Sequence, residues 1–203
     1  MSRKTDLREL LSTAQVDLGA MGKLFEEASP AERVALLETV SGPAQARLWR
    51  AALGGVVRID EMVPRELGPL VPVIFQGKNS LPAFSRFQKR FCRPSQDAPP
   101  NELWGYNDQP TRWLGTLTGP GYFVASDSQS PIGSVAVDYR RIPTARPTAW
   151  PELHDNRYRL SRFIFHELVD YLRRVSKHVL IGRATRHEQE LNNYFILCRE
   201  DPV

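Results

Sequence analysis

Residues 103–128 read LWGYNDQPTRWLGTLTGPGYFVASDS, and the reading of this stretch decides the fold class. Five large aromatics, Trp104, Tyr106, Trp113, Tyr122 and Phe123, stand here among glycine, proline and short polar residues. Three strands are predicted, Leu103 to Asn107, Arg112 to Thr118 and Tyr122 to Ser126, with TGPG at 118–121 as a hairpin turn. In the first strand Trp104 and Tyr106 point the same way, and Asp108 follows on that side as the strand ends. A tryptophan, a phenol and a carboxylate on one face could orient a ligand, because these rings join an apolar body to a polar tip. The same residues also make a plain core strand with a wet end. Aromatics this dense bury more surface than a two-strand corner needs, which raises the prospect of a lined cavity.

Downstream the β pattern continues. In Gly133 to Ile142, Val135, Val137 and Tyr139 share one face and Ser134, Ala136 and Asp138 the other. Asp138 is therefore either a carboxylate facing solvent or a polar group aimed into an apolar lining. His178 to Thr185 and Asn193 to Arg199 give two more strands. Before them, LSRFIFHELVDYLRRVS at 160–176 sets Leu160, Ile164, Leu168, Leu172 and Val175 on one side at helical spacing, and predicts a crossover helix. Six strands and one such helix predict an α+β chain whose second part is a curved antiparallel β-sheet or small β-barrel.

Upstream the pattern is helical. Leu7, Leu10, Leu11, Ala14 and Leu18 recur at helical spacing. In SPAERVALLETV, Ser29 caps a second helix, Pro30 takes its first position and Glu32 completes a capping box. A third begins at SGPAQARLWRAAL, with Pro43 at its start and Gly54-Gly55 at its end. The proline-rich VPRELGPLVP at 63–72 is an extended connector. In NSLPAFSRFQKRF, Leu81, Phe84, Phe87 and Phe91 are spaced by three and four, with Arg86, Lys89 and Arg90 outward, which predicts a helix running into a strand. The period-two alternative aligns Phe87, Lys89 and Phe91. The organisation is then a helical region at 1–62, a linker at 63–72 and a β-rich ligand-binding domain at 73–203.

Composition narrows the function classes. With 203 residues, 41% hydrophobic and 25% charged, the chain buries a sizeable core and has no apolar run long enough to span a bilayer. Acidic residues by position 6 and no signal-like stretch predict cytoplasmic residence, with Cys92 and Cys198 reduced and partly buried. The net charge of +4 comes late: between Arg140 and Arg199 twelve Lys or Arg face six acids. That is a solvated, salt-laced face or a site for an anionic partner. No nucleic-acid motif accompanies it, so a specific nucleic-acid partner is not expected.

Catalytic signatures are missing from the sequence: it holds no GxSxG, GxxxxGK[ST] or GxGxxG. His154, His166, His178 and His187 are too widely spaced for a local zinc motif, and HELVD at 166–170 has Asp170 where a zincin has its second histidine. His166 and Asp170 read instead as a helix-surface pair. No cofactor or metal is implied.

The C-terminal run LVDYLRRVSKHVLIGRATR, followed by NNYFILCRED, resembles the end of a family of uncharacterised bacterial proteins with a GxWxG motif. Asp170, Arg173, Gly182, Arg186, Phe195 and Arg199 are the matching positions, and GKNSLPAFSRFQKRF is similar to that family's helix and basic strand. No GxWxG stands before it here. The resemblance implies a compact lipocalin-like barrel. Three functions remain open. The first is binding of a small, largely apolar ligand by Trp104, Tyr106, Trp113, Tyr122, Phe123 and Asp138, with Arg183 or Arg186 meeting an acidic headgroup. The second is a cofactor-independent isomerase or cyclase using Tyr106, Asp138 or His166 in the same pocket. The third is an interaction module whose N-terminal helices dock a partner or a second copy.

Overall fold

A computed structural model describes residues 2–81, 85–108, 120–153 and 167–200. Five short helices come first: α1 (Arg3–Ser12), α2 (Leu18–Glu26), α3 (Pro30–Leu37), α4 (Gly42–Ala51) and α5 (Ile59–Met62). A 3-10 turn at Arg65–Leu67 leads into eight strands: β1 (Val73–Asn79), β2 (Arg86–Cys92), β3 (Leu103–Asp108), β4 (Gly121–Asp127), β5 (Val135–Asp138), β6 (Leu168–Arg174), β7 (Val179–Arg186) and β8 (Gln189–Arg199). Each strand pairs antiparallel with the next and β8 pairs with β1, so the sheet closes into a barrel. The expected class, N-terminal helices followed by an antiparallel barrel, is the observed one.

The helical caps are those the sequence encodes. Ser29 and Glu32 form the capping box of α3, with the Ser29 amide donating to Glu32 Oε2 at 2.9 Å. The first helical run is divided: α1 stops at Ser12, and Asp17 caps a separate α2 by accepting from the Ala20 amide at 2.9 Å. A short polar cap thus outweighs continuous apolar spacing.

One segment expected as helix is strand instead. Within 160–176, the described part Leu168–Arg174 is β6, hydrogen-bonded to β5 on one side and β7 on the other. Leucine and arginine favour helix locally, but pairing along both edges overrides that preference. In NSLPAFSRFQKRF the expected strand is present as β2, between β1 and β3, and takes in Arg86–Cys92 with the period-two alignment of Phe87, Lys89 and Phe91, while residues 82–84 of the expected helical start lie outside the described residues. β1 arises just past the connector and seats Val73 and Phe75 inward. The strand expected at Arg112 to Thr118 lies outside the described residues.

Three layers bury apolar surface. The lumen holds Phe75, Phe87, Phe91, Leu103, Phe123, Val135, Val137, Leu172, Leu180, Phe195 and Leu197. Val57, Ile59, Met62 and Val63 from α5 and its flanks join this core and close one end. There Ile59 N–H donates to Asp127 Oδ1 and Val57 N–H to Ser134 Oγ, each at 2.9 Å. On the outside, α1 to α4 cover Val179, Ile181, Tyr194, Ile196 and Cys198. A second outer layer packs Trp150 and its neighbours over Cys92, Trp104, Tyr106, Tyr122 and Val124. Cys92 and Cys198 are both buried, and neither is in a disulfide. No helix among the described residues is long and apolar enough to cross a membrane.

Candidate functional site

Strand alternation fixes which side chains meet inside. Lys89 lies between Phe87 and Phe91 on the lumen face of β2, and its register partners are Phe75 on β1 and Asn107 on β3. Tyr139, just past β5, continues the inward series of Val135 and Val137. Asp170 occupies the inward position between Leu168 and Leu172 on β6, opposite Ala184 of β7. Four strands therefore bring a lysine, an amide, a phenol and a carboxylate into one apolar barrel.

Lys89 is 1% exposed and its Nζ donates to Asp170 Oδ2 at 2.9 Å, to Asn107 Oδ1 at 3.0 Å and to the Tyr139 hydroxyl. The Tyr139 hydroxyl also accepts from Asn107 Nδ2 at 2.7 Å and donates to Asp170 Oδ2 at 3.1 Å. Burial lowers the Lys89 pKa, while the adjacent Asp170 carboxylate opposes that shift. The Tyr139 phenol is pushed well above its ordinary range, first by burial and then by the charge of Asp170.

Aromatic rings enclose the ammonium. Its Nζ lies 4.9 Å from the Tyr139 ring centre, 5.0 Å from Phe195, 5.1 Å from Phe123 and 5.8 Å from Phe87. Three of these rings share one construction: Phe87, Phe123 and Phe195 stand directly across from Gly77, Gly105 and Gly182. A methyl group added at those glycines would lie 2.6, 2.4 and 2.1 Å from the facing ring. Each ring thus lies flat on a glycine of the next strand, which only a residue without a side chain permits.

The residues expected at a site divide between the two sides of the wall. Phe123 faces the lumen, whereas Trp104, Tyr106 and Tyr122 face outward into the layer under Trp150. Tyr106 packs 5.4 Å from Tyr122 and 4.9 Å from Trp150, and Trp104 Nε1 donates to Glu102 at 3.0 Å. Trp104 also borders an outer cleft of about 330 Å³ with Glu102, Val124 and Arg141. Asp138 is on the outer face and holds Arg140 through two 2.9 Å bonds. Arg183 is outside as well, over the Tyr194 ring at 5.2 Å and paired with Glu190. Trp113 and His166 lie outside the described residues, and the carboxylate of Asp170 meets Lys89.

The lumen cluster is only partly legible in the sequence. Tyr139 shared its face with Val135 and Val137, and Asp170 stood out in HELVD. Lys89 and Asn107 are not among the candidates that the sequence motifs single out. The available signal was a lysine between two phenylalanines at period two, a cation on an otherwise aromatic face. Comparison of the chain with protein-family models, with curated proteins and with solved structures finds no match.

Proposed function

We propose that the barrel binds a small, largely apolar molecule whose polar group engages Lys89, Asp170, Tyr139 and Asn107. The observation carrying this reading is a lysine–aspartate pair, 1% and 5% exposed, set among aromatic rings inside a closed barrel. Taking two charges out of water costs several kcal/mol per ion, and such a pair commonly gives no net stability over apolar residues of equal size. Charged groups held at that cost, here with the basicity of Lys89 lowered by burial, mark functional sites. An eight-stranded barrel is also wide enough to hold one small ligand. The resemblance of the C-terminal end to GxWxG barrels agrees with this reading.

A second reading, acid–base catalysis without a cofactor, has one observation in its favour. The Tyr139 hydroxyl bridges the ammonium and the carboxylate, giving a proton a continuous path. The docking reading has less support: the buried faces of α1 to α4 lie on the barrel, and among the described residues of 1–62 the large exposed apolar side chains are Leu53 and Val56, both past the end of α4.

Native mass spectrometry of the full chain as purified, with saturable binding of an environment-sensitive apolar dye, tests the proposal. A co-purifying molecule, or dye binding lost in Phe123→Ala but retained in Asp138→Asn, is expected. The absence of both a bound molecule and saturable dye binding would overturn it.

A further inference from the structure

We infer that Lys89 is an amine nucleophile, and that the lumen takes an apolar aldehyde or ketone and holds it as an imine on Nζ. This rests on the lumen-binding reading above and specifies its ligand by chemical class.

Three observations converge. The Lys89 backbone is fixed by pairing with strands on both sides, so its Nζ is presented at one place in the lumen. Asp170 Oδ2 lies 2.9 Å from that nitrogen and 3.1 Å from the Tyr139 hydroxyl, so a proton acceptor and a proton donor both adjoin the reacting atom. The rings of Phe87, Phe123, Tyr139 and Phe195 supply apolar surroundings for a hydrocarbon chain and π-faces for the cation that remains. A lysine desolvated in an apolar pocket is the usual route to a nucleophilic amine, and the lowered basicity of Lys89 fits that role.

The step balances without an oxidant or reductant. Asp170 takes one proton from the ammonium, and the freed lone pair of Nζ attacks the carbonyl carbon as the carbonyl π electrons move to oxygen. Protonation of that oxygen, through Tyr139 and Asp170, gives a carbinolamine. A second proton leaves nitrogen and departs with the oxygen as water while the carbon–nitrogen double bond forms. Of the three protons on the ammonium, two end in water and one stays on the iminium. That proton keeps Asp170 as its counter-ion.

The sequence provides internal controls, since the chain has five lysines, Lys4, Lys23, Lys78, Lys89 and Lys177. Lys78 is the most informative of the other four: burial lowers its pKa too, but its ammonium donates to the Glu38 carbonyl, outside the lumen cluster. The full-length protein is incubated with decanal and cyanoborohydride, and the sites of decyl addition are mapped by peptide mass spectrometry. In parallel, 1-decanol binding is followed by native mass spectrometry. Labelling of Lys89 about tenfold or more faster than of any other lysine is expected, as for an amine desolvated beside a proton acceptor. Lys89→Arg should abolish that fast phase. Labelling of Lys89 no faster than Lys78 or the surface lysines, with 1-decanol still bound, overturns the imine and leaves the lumen reading standing. Failure of both reagents to bind overturns both.

Discussion

If the Lys89–Asp170 pair is kept for function, then removing both charges together should cost far less stability than removing either one. Lys89→Met leaves the Asp170 carboxylate in the lumen with the Tyr139 hydroxyl as a neutral donor at 3.1 Å. Asp170→Leu leaves the ammonium with Asn107 and Tyr139 as neutral acceptors. Breaking a buried pair on one side costs about 3–5 kcal/mol, against a total margin of about 5–15. With a urea slope near 2 kcal/mol per molar, each single variant should lower the unfolding midpoint by about 1.5–2.5 M. In the double variant no charge is left unpaired, and Asn107 still donates to Tyr139 at 2.7 Å. Its stability should lie within about 1 kcal/mol of the parent, or exceed it, so the coupling energy should reach about 5 kcal/mol or more. Urea titrations of the four proteins, followed by fluorescence and circular dichroism, supply the cycle. Additive losses would refute the reasoning, because the pair would then be part of what holds the barrel together.

The remaining predictions concern the walls around the cluster. Gly182→Ala places a methyl 2.1 Å from the Phe195 ring and should cost about 1–3 kcal/mol, read as a lower melting temperature that Phe195→Leu partly restores. At alkaline pH the buried phenols should destabilise the fold. Burial pushes Tyr106 up to about 12 and Tyr139 well above its ordinary value, so above about pH 10 the unfolded chain loses protons that the folded chain keeps. Stability then falls with rising pH by about 1.4 kcal/mol per unit for each phenol, and Tyr106→Phe should flatten the slope between about pH 10 and 12. Lys89 has the opposite sign, its lowered value adding stability as pH rises toward about 10.4, and Lys89→Met should remove that rise. Trp104→Ala should cost about 3–5 kcal/mol yet leave dye affinity unchanged at pH 7, since its ring lies outside the barrel. Deleting residues 2–53 bares Val179, Ile181, Tyr194 and Ile196, and a soluble monomer with a cooperative transition from that truncation would contradict the packing described here.

What could be read from the sequence follows from which signals are local. Capping is local, so Ser29 and Pro43 mark their helices correctly. Alternation in LWGYN and VAVDY is also local, and it even implies that Tyr122 and Phe123, being adjacent in a strand, cannot share a face. Closure is not local. LVDYLRR satisfies a helical and an extended pattern alike, and only pairing with VAVD and LIGRATR selects the strand that turns Asp170 inward. The same ambiguity hid Lys89: at helical spacing it is an outward cation beside Arg86 and Arg90, whereas at period two it joins Phe87 and Phe91 inside. The Gly–Phe pairs were beyond the sequence because each joins residues of two strands whose register the whole barrel sets.

The position of the cluster along the strands gives the proposed binding mode its direction. At one end α5 and its flanks fill the barrel, tied down by Asp127 and Ser134, with Glu61 paired to Arg174. The four polar groups belong to the opposite end. Asn107 is the penultimate residue of β3, Tyr139 follows the last residue of β5, Asp170 is the third of β6 and Lys89 the fourth of β2. At about 3.3 Å per residue, Asp170 and Lys89 stand only about 7–10 Å below the ends of their strands. Below them Phe75, Phe91, Val135, Leu172 and Leu197 pack against the plug, so the apolar depth of the barrel is already filled by its own side chains. On the proposed reading, a molecule therefore enters with its polar group leading, meets the ammonium in the ring of aromatics and keeps its apolar tail toward the end it came from. Lengthening the tail of a bound alcohol should then change affinity smoothly, because the side chains packed against α5 would set no limit on its length. A sharp cut-off at short chain length would mean that the tail points down into the core, and would reverse this orientation.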